Sequence, residues 1–335
     1  MSLTGDQRNN LRFYLLEKIK QKKTGLSRSV AEEFHISQTA VHNHINDLVQ
    51  KGIIKRIKRD TYELVRKEYV YDLSRQAGDL DSDIDSYNRC LASHIKEFPK
   101  NVIDIWSYAF SEMINNVMDH SMAEKLHIII RQDYLETQVI LIDDGVGIFE
   151  KIRDHFGLAS LDDAISELFK GKLTTDEKNH SGEGIFFTSK LMDDFLIISD
   201  GKVFTNNRYD ISRVGTLPKV EKGTGVFMEL SNFSHKNSQE VFDLYSDVDG
   251  GFTKTRIPLK NMFDSSPVSR SQAKRVCNRL NKFKEVEFDF DGIQWMGQGF
   301  AHQIFVVFQN DHPDINLIPI NMNETVTKMF KHVIS

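Results

Sequence analysis

The chain has 335 residues, 40% hydrophobic and 27% charged, with a net charge of −5. That length accommodates two or three domains with cores of their own, and the balance is ordinary for a water-soluble globular protein with no membrane partner. No apolar run approaches the roughly 18 residues that cross a bilayer. The first residues lack a charged-then-apolar leader pattern, and Cys90 and Cys277 stand far apart without metal-ligand spacing. A disulfide or zinc framework is therefore not expected, and a reducing, cytoplasmic setting is.

Charge is unevenly placed. Residues 1–68 carry 14 Lys and Arg against 8 Asp and Glu, a surplus of +6 that leaves −11 for the remaining 267 residues. A basic head on an acidic body points to nucleic-acid contact at the head. Leu11, Tyr14, Leu15, Leu16 and Ile19 predict a first amphipathic helix, and Ser27 or Ser29 can cap a second over 30–34. Ser37 opens a third, anchored by Val41, Ile45, Leu48 and Val49 and stopped by Gly52. Residues 53–57 and 61–65 then read as two short strands around Lys58-Arg59-Asp60. Three helices followed by a small basic hairpin resemble a winged helix-turn-helix. The resemblance implies a third helix in the major groove of double-stranded DNA, with Gln38, Thr39, His42, Asn43 and Asn46 facing outward toward base edges or phosphates. Lys55, Arg56, Lys58 and Arg59 would neutralise phosphates. Winged helices also serve as protein-interaction modules, so a protein partner remains the alternative.

Asp79, Asp81, Asp83 and Asp85 alternate in the manner of a calcium loop. Ile84 stands where such a loop needs glycine, however, and Cys90 where it needs glutamate, so residues 69–88 are read as a linker.

The chemistry lies in residues 89–260. Val102, Trp106, Ala109, Phe110, Met113, Ile114 and Val117 fall at the i, i+3, i+4, i+7 spacing of one buried helical stripe. Glu112, Asn116 and His120, four apart, stack along its edge. A carboxylate and an amide oxygen beside an apolar floor suit a metal ion and a reactive water. Residues 139–148 read Val-Ile-Leu-Ile-Asp-Asp-Gly-Val-Gly-Ile, a buried strand running into Asp-x-Gly-x-Gly. Residues 180–185, His-Ser-Gly-Glu-Gly-Ile, open a helical pattern with Gly182 and Gly184, whose N–H groups form a ready anion site. Residues 223–230, Gly-Thr-Gly-Val-Phe-Met-Glu-Leu, make a third glycine turn that enters a strand.

In this order and at these separations, the boxes resemble the ATP-binding domain of the GHKL superfamily over roughly residues 85–260. The resemblance implies a Bergerat α/β sandwich with a mixed, mostly antiparallel sheet, and ATP with Mg2+ as cofactors. By the same match Asn116 is the Mg2+ ligand, Glu112 the general base, and Asp143 the acceptor for the adenine amino group. Gly145 and Gly147 let the backbone turn beneath the base. Gly182 and Gly184 contact phosphates, and Thr224 holds the adenine-side hydrogen-bond network. The span between Phe149 and Asn179 would be a lid containing a short helix, 162–169. Lys172, Thr174, Thr175 and Lys178 are placed to reach the γ-phosphate, and Lys254 is a further phosphate candidate. His180 replaces a glycine found in several relatives, and Glu183 fills the variable place between the glycines.

In residues 261–335 a helix over 271–283, a strand from Val286, an apolar pattern at Ile304, Phe305, Val307 and Phe308, a strand over 315–320 and a last helix over 324–333 suggest a small α/β layer. It resembles STAS-like domains, in particular the STAS-like segment fused behind such ATPases, which implies partner binding or self-association. Anti-sigma-factor antagonists carry a phosphorylated serine after this strand. Here the loop is Gly297-Gln298-Gly299, with no hydroxyl. The expected whole is a multidomain α/β protein: winged helix 1–68, linker 69–88, ATP-binding domain 89–260, STAS-like domain 261–335. Its expected activity is an Mg·ATP-dependent switch with slow hydrolysis. An anti-sigma-type serine protein kinase is the alternative, and a nucleotide-binding module with negligible turnover a third reading.

Overall fold

The computed structural model describes residues 4–22, 25–173, 182–206, 217–263 and 265–335. The contacts divide the chain into two units. One comprises the residues up to Val70 with 129–138 and 231–233; the other holds the rest. Among the described residues no helix is long and apolar enough to cross a membrane.

The first unit carries helices α1 (Gly5–Lys20), α2 (Leu26–Glu33) and α3 (Gln38–Gln50), then strands β1 (Ile54–Lys58) and β2 (Thr61–Leu64), paired antiparallel. A capping box starts α1: the Thr4 hydroxyl accepts the Gln7 N–H, and the Gln7 side chain accepts the Thr4 N–H. Ser37 caps α3 by accepting the Ala40 N–H at 3.2 Å. The second helix begins earlier than its serines suggest. Leu26 is already buried on its inner face, and Gly25, left-handed at φ +67°, takes the cap position without a side-chain bond. Leu11, Leu15, Val30, Val41, Ile45 and Ile54 form the core, which extends to Leu135. Two buried carboxylates tie this core together: Arg66 reaches Asp133 at 3.2 Å and Glu136 at 3.1 Å, and Lys20 also pairs with Glu136.

A six-stranded sheet runs through the middle of the sequence. Its strands are β3 (Lys67–Ser74), β4 (Lys125–Gln132), β5 (Glu136–Asp143), β6 (Asp194–Ser199), β7 (Lys202–Thr205) and β8 (Thr224–Ser231), in the order β3-β4-β5-β8-β6-β7. Strand β6 lies antiparallel to both β7 and β8, with Ile197 opposite Phe204 on one side and Val226 on the other. The span read as a linker is ordered: its first part is edge strand β3, and 83–87 form a short helix capped by Ser82. Asp79 accepts the Ser74 N–H at 3.0 Å and pairs with Arg89.

A second sheet is wholly parallel and has three strands, β9 (Lys254–Pro258), β10 (Glu285–Asp289) and β11 (Asn316–Ile320), with β10 central. Parallel neighbours need crossovers, and the helix Arg270–Cys277 and the helical stretch from Gln298 to Asp311 fall in them. The sheet takes its first strand from before residue 261, where the sequence suggested the layer would start. Its core also recruits Phe186, Phe187 and Phe252, so the helix Gly184–Leu191 shares a hydrophobic interior with β10 and its crossovers. Burial pushes the Cys90 thiol up to about 11 and the Cys277 thiol up to about 12, and neither forms a disulfide.

Candidate functional site

The apolar stripe of the helix Lys100–Asn116 is buried from Val102 to Ile114, which fixes that helix's rotation. Glu112 and Asn116 therefore project from its flank, and the chain continues through a wider helical turn, Val117–Ser121, that carries His120. Buried strand β5 delivers Asp143 at its end, 4% exposed. Glu112, Asn116, His120, Asp143, Gly182, Gly184 and Thr224 all line one cavity of about 310 Å³. Met113, Ile152, Leu168, Phe186, Ile197 and Val226 give it apolar walls. That size, with mostly apolar walls and a few convergent polar groups, is typical of a small-molecule site.

Glycines shape the cavity by close approach. A Cβ on Gly184 would collide with the Glu112 carboxylate, and one on Gly145 with the Ser121 carbonyl. Gly182 and Gly223 have positive φ and equally crowded Cβ positions, against the Leu173 backbone and Asp143 respectively. Gly145 and Gly147 are not themselves in the lining; they set the turn that presents Val146 and Ile148 to the cavity.

Electrostatics single out Asp143. Burial pushes its carboxyl up to about 6, against the N–H of Gly145, which donates to it at 2.9 Å. Thr224 braces the same region, its hydroxyl accepting the Ile148 N–H at 3.2 Å. The Asn116 amide oxygen has no hydrogen-bond partner among the described residues, which leaves it available to a cation or a bound donor. Lys151 is a lining residue that sequence reasoning missed. Its ammonium donates to the His120 carbonyl at 2.6 Å, and burial lowers its pKa. The signal was present: Ile148, Lys151 and Ile152 share one face of the helix Ile148–Phe156.

Some expected residues lie elsewhere. Lys254 sits on β9 opposite Glu285, outside the cavity lining. Gly171 and Leu173 line the cavity, but Lys172 between them points its ammonium to the Lys282 carbonyl at 2.8 Å and over the rings of Phe252 and Phe283. Thr174, Thr175, Lys178 and His180 lie outside the described residues. In the first unit, Gln38, Thr39, Asn43, Lys55, Arg56, Lys58 and Arg59 are exposed and His42 is half-buried. Lys55 pairs with Glu63 at 3.5 Å, and Arg56 lies over the Tyr62 ring and donates to its hydroxyl.

Residues 272–327 match the profile of a family described as a STAS-like domain of unknown function (DUF4325). The match takes in β10 and β11 of the parallel sheet but not β9, and runs from the helix Arg270–Cys277 to the start of the last helix, Glu324–Ile334. A STAS-like domain fits a role in binding a protein partner. No curated protein matches the chain.

Proposed function

We propose that the cavity binds Mg·ATP and that the protein is a nucleotide-driven switch, joining a DNA-binding head to a STAS-like tail that engages a protein partner. The observation that carries this reading is convergence. Glu112, Asn116, Asp143, Gly182, Gly184 and Thr224, scattered over more than a hundred residues of sequence, meet around one cavity. They are the residues that the GHKL resemblance marks for nucleotide.

Each residue present suits the role. The buried Asp143 carboxylate is an acceptor for an exocyclic amino group. Because it is desolvated, an unsatisfied carboxylate there costs more than one in water. Gly182 and Gly184 stand at the start of the helix Gly184–Leu191, whose first N–H groups have no intrahelical partner and favour anionic groups. The Asn116 oxygen, without a hydrogen-bond partner among the described residues, suits a cation that takes only one or two protein ligands. When bound, magnesium neutralises phosphate charge and supplies electrophilic activation. Glu112, against the backbone of Gly184, is placed to hold a water or a hydroxyl and take its proton.

That last property admits a second acceptor. A water gives slow ATP hydrolysis; a serine hydroxyl of a partner gives a protein kinase of the anti-sigma type. The packing of the helices Leu161–Lys170 and Gly184–Leu191 against the STAS-like part favours the switch, because these helices meet both the cavity and the tail. Incubation with γ-labelled ATP and Mg2+ separates the outcomes. Free phosphate that disappears in Glu112→Ala supports the switch, and label on protein supports the kinase. Intact folding with no nucleotide binding in calorimetry rejects both.

A further inference from the structure

A second cavity, about 320 Å³, lies within the larger unit at the far end of the same helix. Lys190, in the last turn of Gly184–Leu191, lines it together with Arg256 of β9, Asp289 of β10, Asp193 and the amides Asn206 and Asn261. Phe169 and Phe204, 4.6 Å apart, give it an apolar wall.

The charged groups here are not equally satisfied. Asp193 pairs with Lys236 at 2.9 Å. Asp289 accepts the Asp291 N–H at 2.9 Å and the Asn321 amide at 3.0 Å. Arg256 pairs through Nε with Glu287, which leaves the rest of its guanidinium fork. Lys190 makes no hydrogen bond or ion pair among the described residues. Its ammonium stands over the rings of Phe186 at 4.9 Å and Tyr245 at 5.8 Å. Burial first, with Arg256 acting in the same direction and Asp289 against them, brings its pKa down to about 8. An ammonium with no acceptor among the described residues, beside an arginine whose remaining donors have none there either, is the arrangement that an anion completes.

We propose that this cleft is a second ligand site, which takes a small molecule bearing a phosphate or carboxylate group between Lys190 and Arg256. It is separate from the nucleotide reading and does not depend on it. The two cavities are nonetheless adjacent through one ring, since Phe186 lines the first and underlies the Lys190 ammonium. An effector bound here is therefore positioned to alter the helix whose other end borders Glu112.

The full chain, held at constant ionic strength, is titrated with inorganic phosphate, and in a separate arm with succinate, while thermal unfolding is followed. The proposal expects a saturable rise in melting temperature with at least one of them, retained in Asn116→Ala and weakened in affinity by roughly 10- to 150-fold in Lys190→Met, as for the loss of one charge-assisted hydrogen bond. A rise that never saturates, or that is the same in Lys190→Met and Arg256→Gln, overturns it, as does no rise with either anion. Should the variants fold poorly, the wild-type chain decides. Its lysines are reductively 13C-methylated, and the Lys190 resonance is followed as phosphate or succinate is added. A saturable shift supports the site, and an unmoved resonance refutes it.

Discussion

The Lys170 ammonium lies 2.6 Å from the Glu167 carboxylate, and both side chains are almost wholly buried. Lys170 also donates to the Arg275 and Asn278 carbonyls at 2.9 Å each, Asn278 donates to Glu167 at 3.2 Å, and Arg279 approaches Glu167 at 3.5 Å. The Thr255 hydroxyl closes the set by donating to the Lys170 carbonyl at 2.7 Å. These contacts join the helix Leu161–Lys170, whose Leu168 borders the first cavity, to the crossover after Arg270 in the STAS-like part. Removing one partner leaves the other charge buried. Lys170→Met is expected to lose about 3–5 kcal/mol, and the double variant Lys170→Met with Glu167→Leu considerably less than the two single losses combined. Chemical denaturation of the four proteins checks the cycle; additive losses would remove the ion pair from the account.

Asp143 makes a prediction with a sign. Its carboxyl is raised to about 6 by burial, so it is ionised above that pH and protonated below. The ionised form is the better acceptor for an adenine amino group, so nucleotide affinity should fall as pH drops through about 6. Asp143→Asn should bind roughly 5- to 150-fold more weakly near neutral pH and lose that pH step. Stability runs the other way. A carboxyl whose folded pKa lies above its unfolded value destabilises the ligand-free fold when it ionises. That loss accrues as pH rises from about 4 to 6 and is complete above. Unliganded Asp143→Asn should therefore be at least as stable as wild type near pH 8. Calorimetric titrations at several pH values, with melting curves of the free proteins, measure both effects.

Much of the cavity is legible in the sequence because it depends on local rules. The stripe from Val102 to Val117 sets one helix's rotation, and that alone aligns Glu112 with Asn116. Asp143 follows from the apolar run 139–142 of its strand, which leads straight into glycines. What sequence leaves hidden is tertiary. Residues 67–74 alternate weakly, as an exposed edge strand does, and so resemble a linker in part. Lys170 and Glu167, three apart on an amphipathic helix, look like a solvated pair until the Arg275 and Asn278 carbonyls cover them. Phe186 and Phe187 follow a glycine box, so nothing local shows that they fill the core of a sheet formed by later strands.

Two substitutions separate binding from turnover. Glu112→Gln keeps the size and packing of the side chain but cannot take a proton. It should retain nucleotide binding and lose about 10²- to 10⁴-fold in phosphate release. Gly184→Ala should damage both, since its new Cβ would strike the Glu112 carboxylate at the helix start. Equilibrium binding beside a phosphate-release assay resolves the pair. If Glu112→Gln turns over like wild type, Glu112 is not the proton acceptor.

The head invites a test by salt. Lys58 and Arg59 make no ion pair among the described residues, whereas Lys55 is held by Glu63 and Arg56 by Tyr62. Free cations release counterions from DNA without first breaking an ion pair within the protein. Lys58→Gln with Arg59→Gln should therefore weaken binding to duplexes of any sequence and flatten the slope of log K against log salt by roughly 0.9 for each phosphate no longer neutralised. Changes at Gln38 or Asn43, on the exposed side of α3, should instead alter preference between sequences and leave the slope in place. Fluorescence anisotropy over a series of salt concentrations distinguishes the two. A slope near zero for the wild-type chain would assign the exposed face of α3 and the β1–β2 hairpin to a protein partner in place of DNA.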